Sequence, residues 1–176
     1  MVVIMTTLGS CAGSVNSPSG GDQPEGNTEQ QAKQSGGQPA EPTVAVGQPL
    51  TVGNAEWTVT YAYPTNQLIS YVDSSTKQGN FVVVDFQFKN NSNEGVTVSP
   101  ESLVLFDGNG GKSKFDTDTF FYIDSSQNIF LVEVGPGDSR EGEVIFKVAP
   151  EISRFRLQLR EANPFSNNSG YVNLGF

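Results

Sequence analysis

Apolar and polar residues alternate with a period of two over much of the chain beyond residue 43. In the clearest example, 80–89, the apolar positions include Val84, Phe86 and Phe88, and polar residues stand between them. Successive side chains of a β-strand point to opposite faces of the sheet. The pattern therefore predicts a strand with one buried face and one exposed face.

Similar patterns predict a chain built almost entirely from short β-strands. Runs rich in β-branched and aromatic residues, bounded by Gly, Pro and Asn, recur at 56–63, 96–98, 102–106, 112–115, 140–148, 154–160 and 171–174. Pro64 is expected to end the first run, and Gln158 is expected to face water. Seven or so strands without a helix predict an all-β fold, an antiparallel β-sandwich. The pattern does not decide the secondary structure of 118–131, which fits a loop, a short helical turn or a strand pair.

Residues 11–43 show no such periodicity. They are mainly Gly, Ser, Pro, Gln, Asn and Glu, and large apolar side chains are rare among them. A segment of this composition cannot bury enough apolar surface to offset its conformational entropy. We therefore expect a disordered tether at 11–43, with a reach of roughly 30 Å for a flexible coil, followed by one domain at 44–176.

The first ten residues form a short apolar run that ends in Leu8, Gly9 and Ser10, directly before Cys11. A leucine and two small residues before the chain's single cysteine resemble a bacterial lipobox, in which the thiol takes a diacylglyceryl group. Residues 1–10 are thus interpreted as a lipoprotein signal peptide, shortened at its start because its basic residues are missing. The alternative is an incidental apolar terminus with an incidental thiol. The lipobox predicts acyl chains such as palmitate on Cys11, which would anchor the protein at the outer face of the cytoplasmic membrane.

The charge balance narrows the partners that we expect. The formal net charge is −9, and acidic residues are in excess in both the tether and the domain. Nucleic acids and anionic lipid surfaces require a basic footprint. We therefore expect no nucleic-acid partner, and we expect contact with the membrane through the lipid anchor only.

The residue types that most enzymes use are scarce. The chain has no histidine, and its one cysteine is assigned to the lipid, so the usual general base and commonest metal ligand is missing. Paired carboxylates, as in glycosidases, stay possible in principle, but none stand in a recognisable pocket-forming pattern. We predict a protein that is not an enzyme and carries no cofactor.

Two oxygen-rich segments are candidate cation sites. The run 107–111 contains aspartate, asparagine and glycines, but two lysines follow it closely, and a hairpin turn explains it better. The second segment contains Asp116, Asp118 and Asp124, for which a solvated loop is the preferred interpretation. We expect no metal, and these three aspartates are where a cation would be sought.

Several aromatic residues could form either core or a binding surface. The densest run is Phe120, Phe121, Tyr122 and Ile123, in the least regular segment. The preferred interpretation is that it packs against one end of the sandwich, and the alternative is an exposed surface for a partner. The same two interpretations apply to Trp57, Tyr61, Tyr63 and Tyr71. The sequons at Asn90 and Asn167 match the N-glycosylation pattern and are interpreted as chance.

Short turn and strand motifs follow one another at 46–50, 57–59, 79–85, 89–92, 105–112, 135–138 and 144–150. Taken in this order, they resemble an extracellular lipoprotein domain family of unknown function, DUF4352. The resemblance implies an immunoglobulin-like sandwich related to a secreted mycobacterial immunoprotective protein, and an origin in Gram-positive bacteria or actinobacteria. It implies no catalytic residues, because the family has no agreed activity.

The sequence thus predicts a lipid-anchored, surface-exposed β-sandwich of the bacterial envelope. Its expected role is to bind an unknown envelope protein or polymer, or to act as a structural module. The first alternative is an accessory lipoprotein that binds a small ligand or a metal, for example for a transporter. An enzyme of envelope polymers is the second alternative.

Overall fold

The computed structural model describes residues 41–130, 132–163 and 165–176. Within them the chain forms eleven β-strands and two 3₁₀ helices, at Pro100–Ser102 and Thr117–Tyr122. The strands are β1 Thr43–Ala45, β2 Pro49–Val52, β3 Ala55–Ile69, β4 Thr76–Asn90, β5 Val96–Thr97, β6 Leu103–Phe106, β7 Lys112–Lys114, β8 Glu133–Val134, β9 Ser139–Lys147, β10 Arg156–Arg160 and β11 Ser169–Asn173.

The strands form two large sheets. One has the order β1-β11-β10-β6-β7 and the other the order β2-β3-β4-β9, while β5 and β8 pair separately. Neighbouring strands run antiparallel, except that β1 lies parallel to β11. The sequence prediction of an antiparallel β-sandwich is confirmed.

The main core lies between the two large sheets. The second sheet contributes Trp57 and Phe86, both almost fully buried, and the first contributes Leu105 and Leu157. The alternation predicted in β4 is confirmed, because Val84, Phe86 and Phe88 all belong to this core. Burial of apolar surface at about 25 cal/mol per Å² makes this interior the main source of stability.

One sequence prediction about strand ends is wrong. Pro64 does not end its strand, because β3 continues through it to Ile69. The partner β2 pairs with β3 only from Ala55 to Thr58, so the side of β3 facing away from β4 has no strand beside it at Pro64. A proline has no N–H to donate, and on such an open side it removes no ladder hydrogen bond.

The prediction that Gln158 faces water is also wrong. Its side chain points to the outer face of the first sheet, but it is buried there beneath its neighbours. Its Nε2 donates to the Tyr171 hydroxyl at 3.1 Å, and its Oε1 accepts from Arg160 Nη2 at 3.0 Å. Long side chains that cover a polar residue are not visible in a pattern of alternation.

Of the alternatives left open for 118–131, the described residues 118–130 contain the short helical turn. The 3₁₀ helix Thr117–Tyr122 begins where Asp116 caps it, with the carboxylate accepting from the Asp118 backbone N–H at 3.0 Å. Further turns then lead to Phe130, which belongs to the main core. This segment brings Ile123 against the outer face of the second sheet.

Candidate functional site

The candidate site lies on the outer face of the second sheet and begins with a β-bulge. Val59 pairs with Phe86 in register, but the next pair along the strands is Tyr61 with Asp85, so Thr60 is an extra residue in β3. A bulge of one residue reverses which face the following side chains take. Tyr61 and Tyr63 therefore face outward, although strict alternation with Val59 would place them in the core.

A small second core supports this outer face. Leu68 near the end of β3 packs in one buried cluster with Phe81, Val83, Ile123 and Ile145. The turn between β3 and β4 is also joined to the 3₁₀ helix, because the Tyr71 backbone N–H donates to the Phe121 carbonyl at 3.1 Å. The end of the β3–β4 hairpin and the helical segment are thus held close together above the sheet.

Between them lies a groove of about 400 Å³. Its lining includes the side chains Tyr63, Ile69, Tyr71, Tyr122, Glu143 and Ile145. Tyr71 keeps 63% of its surface exposed, and Phe121 and Tyr61 nearby keep 62% and 60%. Contiguous exposed apolar surface of this kind marks interaction sites on soluble proteins.

Two carboxyl groups lie side by side at this face. Asp85 on β4 is the direct cross-strand partner of Glu143 on β9, and such partners have Cβ atoms about 4.5–5.5 Å apart. Glu143 is 8% exposed and lines the groove. Asp85 Oδ1 is buried and accepts no hydrogen bond from an N–H or hydroxyl group of the described residues.

The two neighbouring carboxyl groups shift each other's pKa. Burial and the negative charge of Asp85 raise the pKa of Glu143 to about 7. Burial also raises the pKa of Asp85, while the hydrogen bond from Glu143 acts in the opposite direction and lowers it. Glu143 is therefore the member of the pair that more readily takes up a proton near neutral pH. Burial and these two acids likewise raise the pKa of Tyr63.

The aromatic run predicted as core or partner surface is divided between the two. Phe120 packs against the main core, with its ring centroid 4.6 Å from that of Phe115, and Ile123 is buried in the second core. Tyr122 is half-buried at the groove, and only Phe121 is largely exposed. Of the other aromatic candidates, Trp57 is fully buried, whereas Tyr61, Tyr63 and Tyr71 are exposed at the groove face.

The three candidate aspartates each have a local partner. Asp116 caps the 3₁₀ helix, Asp118 forms an ion pair with Lys77 at 3.8 Å, and Asp124 accepts from the Ser126 hydroxyl at 2.6 Å. Across the described ranges, no group of three or more acidic or thiol side chains is arranged to hold a metal ion.

The other motifs that lie within the described residues have structural explanations. The run 107–111 is a hairpin turn, as the preferred interpretation has it: Asp107 Oδ1 accepts from the Gly111 N–H at 2.8 Å, and β6 pairs with β7. The sequon residue Asn90 is fully buried, and Asn167 is exposed. Cys11 lies outside the described residues.

No sequence pattern indicated the Asp85–Glu143 pair, although both residues stand at polar positions of predicted strands. Their pairing depends on the register of β4 against β9, which a pattern within one strand does not contain. The groove likewise depends on where the hairpin end meets the helical segment. A search for acidic residues at outward positions of strands that share an edge could have suggested the pair.

Comparison with solved structures supports the fold. The yjhA protein of Bacillus subtilis is similar with a TM-score of 0.55 and 11% identity, covering 74% of this chain and 99% of its own. The secreted protein MPT63 of Mycobacterium tuberculosis has a TM-score of 0.52 and 12% identity, covering 76% and 98%. A protein of Bacillus subtilis described as a "putative lipoprotein (ycdA)" has a TM-score of 0.51 and 17% identity, covering 71% and 38%.

Among curated proteins, none matches this chain. In the part of the chain that the structure describes, no helix has the length and apolar character needed to cross a membrane. The family that does match is described as "Domain of unknown function (DUF4352)", and the match extends over residues 44–169, most of the chain. The resemblance seen in the sequence is therefore confirmed, and this chain belongs to the DUF4352 family.

Proposed function

We propose that this chain is a lipid-anchored extracellular module of the bacterial envelope that binds a partner in the groove on its second sheet. The observation that carries the proposal is the groove itself, with exposed tyrosines around the buried Glu143 and its half-buried neighbour Asp85. The lipobox at Cys11 supports the anchored location, and similarity of fold to a secreted protein is consistent with it.

A small-ligand role is the second candidate. Sites for small molecules enclose about 300–1,000 Å³ and combine apolar walls with a few polar groups. The groove, at about 400 Å³, lies within this range, and Glu143 and the tyrosine hydroxyls supply polar groups. The two candidates share one site and differ in whether the partner is an envelope macromolecule or a free small molecule.

The geometry favours binding over hydrolysis. Glycosidases hold two carboxyl groups on opposite sides of the bond to be cut, about 5–9.5 Å apart, so that one acts as acid and the other as nucleophile or base. Asp85 and Glu143 instead stand next to each other on one sheet surface, as direct cross-strand partners. This arrangement leaves no room for a substrate bond between them.

Partner capture tests the role of the groove. We expect Tyr71→Ser to lower the amount of partner recovered from envelope extract at least about tenfold, because a large exposed aromatic contact is typical of binding hot spots. The full chain carrying Cys11→Ala, which keeps the protein in solution, serves as bait. Phe165→Ser is the matched control, because Phe165 is 94% exposed and lies outside the groove lining. If both variants reduced partner capture equally, or if neither reduced it, a role for the groove in binding would be contradicted.

Fractionation tests the anchor. We expect Cys11→Ala to move the protein from the membrane fraction into the medium or to leave it uncleaved, because two acyl chains give stable attachment and none remain. Labelling with a palmitate analogue should mark the parent and Ser14→Ala but not the cysteine variant. If Cys11→Ala fractionates and migrates like the parent, the lipobox interpretation is wrong.

A further inference from the structure

In the part of the chain that the structure describes, no lysine or arginine forms an ion pair with either acid of the carboxyl pair. Within the described residues, the one ion pair closer than 4 Å joins Lys77 to Asp118, so neither Asp85 nor Glu143 is paired with a lysine or arginine. Glu143 is nine-tenths buried, yet it lines the groove. A buried acid whose cross-strand neighbour is a second acid is costly. A cation that enters the groove would reach Glu143 and would offset the negative charge of the pair.

The aromatic side chains around the pair favour the same kind of ligand. The Tyr61 and Tyr63 rings lie with their centroids 5.4 Å apart, and Tyr63, Tyr71 and Tyr122 line the groove. The faces of aromatic rings attract ammonium groups, and several rings around one site form the cages that bind quaternary ammonium ligands. The protein already shows this attraction, because Lys77 Nζ lies 5.7 Å from the centre of the Tyr122 ring.

We propose that the groove binds an organic cation, an amine or quaternary ammonium group, held between the tyrosine rings and the Asp85–Glu143 pair. This inference rests on the proposed function, since it names the ligand class of the same groove. An anionic ligand would meet two uncompensated acids there. A neutral ligand would gain nothing from their charge.

Proton linkage gives the inference a specific signature. The ionisable groups around Glu143 include Asp85 on β4, Tyr63 on β3, and Asp124 beyond the 3₁₀ helix. Tyr71 and Tyr122 line the same groove, and Lys77 lies over the Tyr122 ring. Hydrogen bonds from Ser126 lower the pKa of Asp124, and burial raises that of Tyr63, so neither titrates near neutral pH. Because the pKa of Glu143 is about 7 in the free protein, the proton of Glu143 is the one that a bound cation displaces.

The direction of the pH dependence follows from the protonation state of the carboxyl pair that binds the cation. A cation favours the ionised pair and lowers the pKa of Glu143 in the complex. Affinity is therefore full above about pH 7 and falls as the pH decreases, by roughly tenfold per unit well below the free-state pKa. Binding at pH 6 releases about one proton, and binding at pH 8.5 releases almost none.

Calorimetry with two isosteric probes tests the inference. Choline and 3,3-dimethylbutan-1-ol have nearly the same shape and differ in whether a positive nitrogen or a neutral carbon stands at the centre. We expect the full chain carrying Cys11→Ala to bind choline at least about tenfold more tightly than the alcohol at pH 8, the difference expected for about 1.4 kcal/mol of cation–π and ionic interaction. Titrations in two buffers of different ionisation enthalpy measure the proton release.

Charge-neutralising variants distinguish the contribution of the carboxyl pair from a general attraction between a cation and an acidic surface. Glu143→Gln should lower choline affinity at least about tenfold and abolish proton release, since the amide cannot ionise. Glu141→Gln removes the same charge from the next outward position of β9, outside the groove lining, and should change affinity less than twofold. Asp85→Asn provides a second variant of the pair, and circular dichroism checks that each variant is folded.

The outcomes distinguish this inference from the proposed function. Equal affinity for choline and the alcohol, or equal losses with Glu143→Gln and Glu141→Gln, would overturn the cation assignment. If Tyr71→Ser still abolished partner capture in that case, the groove would remain the binding site with a different ligand class. If Tyr71→Ser also left partner capture unchanged, the proposed function would fail together with the inference.

Discussion

Replacement of Trp57 by alanine is expected to lower the free energy of unfolding by about 3–5 kcal/mol, the usual cost of removing a large aromatic side chain from a core. Trp57 is fully buried between the sheets, with ring centroids 5.4 Å from Phe86 and 4.8 Å from Phe88. The surrounding strands are hydrogen-bonded on both sides and cannot close around the space. A large cavity therefore remains in the variant.

Urea unfolding followed by circular dichroism measures the loss, because Trp57 is the chain's single tryptophan and the variant has no tryptophan fluorescence. Trp57→Phe is the matched control. The indole Nε1 has no hydrogen-bond partner among the described residues, so phenylalanine removes volume without breaking a hydrogen bond. It should cost less than half as much as alanine. A loss below about 1 kcal/mol for Trp57→Ala would show that the packing between the sheets is loose at this point.

The strands and the fold class could be predicted because each depends on local patterns. Consecutive residues correctly predicted the alternation in β4, the hairpin at 106–112 and the apolar face of β10. These features require only that one face of a strand be buried. They hold for any arrangement of the strands within a sandwich, and this is why the fold class followed without knowledge of the strand order.

The groove could not be predicted because it depends on departures from those patterns. The extra residue Thr60 turns Tyr61 and Tyr63 outward, and a second register shift between Thr65 and Gln67 accompanies the approach of Leu68 to the second core. Gly79 lies beside this shift, and a Cβ there would come within 2.7 Å of the Phe81 ring. Bulges of this kind are set by tertiary packing rather than by the residues of one strand.

Folding also sorts the charges in a way that composition does not show. Lys112, Lys114, Arg156 and Arg160 all lie on the outer face of the first sheet, where two of them stack over aromatic rings. A chain with a formal net charge of −9 thus carries one basic face. The expectation that anionic partners are excluded was drawn from net charge, and net charge does not describe this face.

A second large effect is expected at Asn90, the buried sequon residue at the end of β4. Its Nδ2 donates to the Glu94 carbonyl at 2.7 Å and the Val134 carbonyl at 2.9 Å, and its Oδ1 accepts from the Ser92 N–H at 2.9 Å. One side chain thereby joins β4 to the following loop and to β8. Because the residue is fully buried, water cannot replace these bonds.

Asn90→Asp should lower the free energy of unfolding by about 3–5 kcal/mol at pH 7, the cost of leaving a buried charge without a partner. The new carboxylate would replace the amide donor and face backbone carbonyls, so its pKa in the folded state would lie well above the usual value for aspartate. A raised folded-state pKa means that the deficit is largest at neutral pH and shrinks as the pH falls and the carboxyl takes a proton.

Urea unfolding at pH 7 and pH 4.5 measures both the size and the direction of this effect. Asn167→Asp makes the same chemical change at the exposed sequon and should stay within about 0.5 kcal/mol of the parent at both pH values. Asn90→Ala removes the bonds without adding a charge, so its deficit should not depend on pH. If Asn90→Asp were as stable as the parent at pH 7, or if its deficit grew toward pH 4.5, the hydrogen bonds of Asn90 would not be what holds β4 to β8.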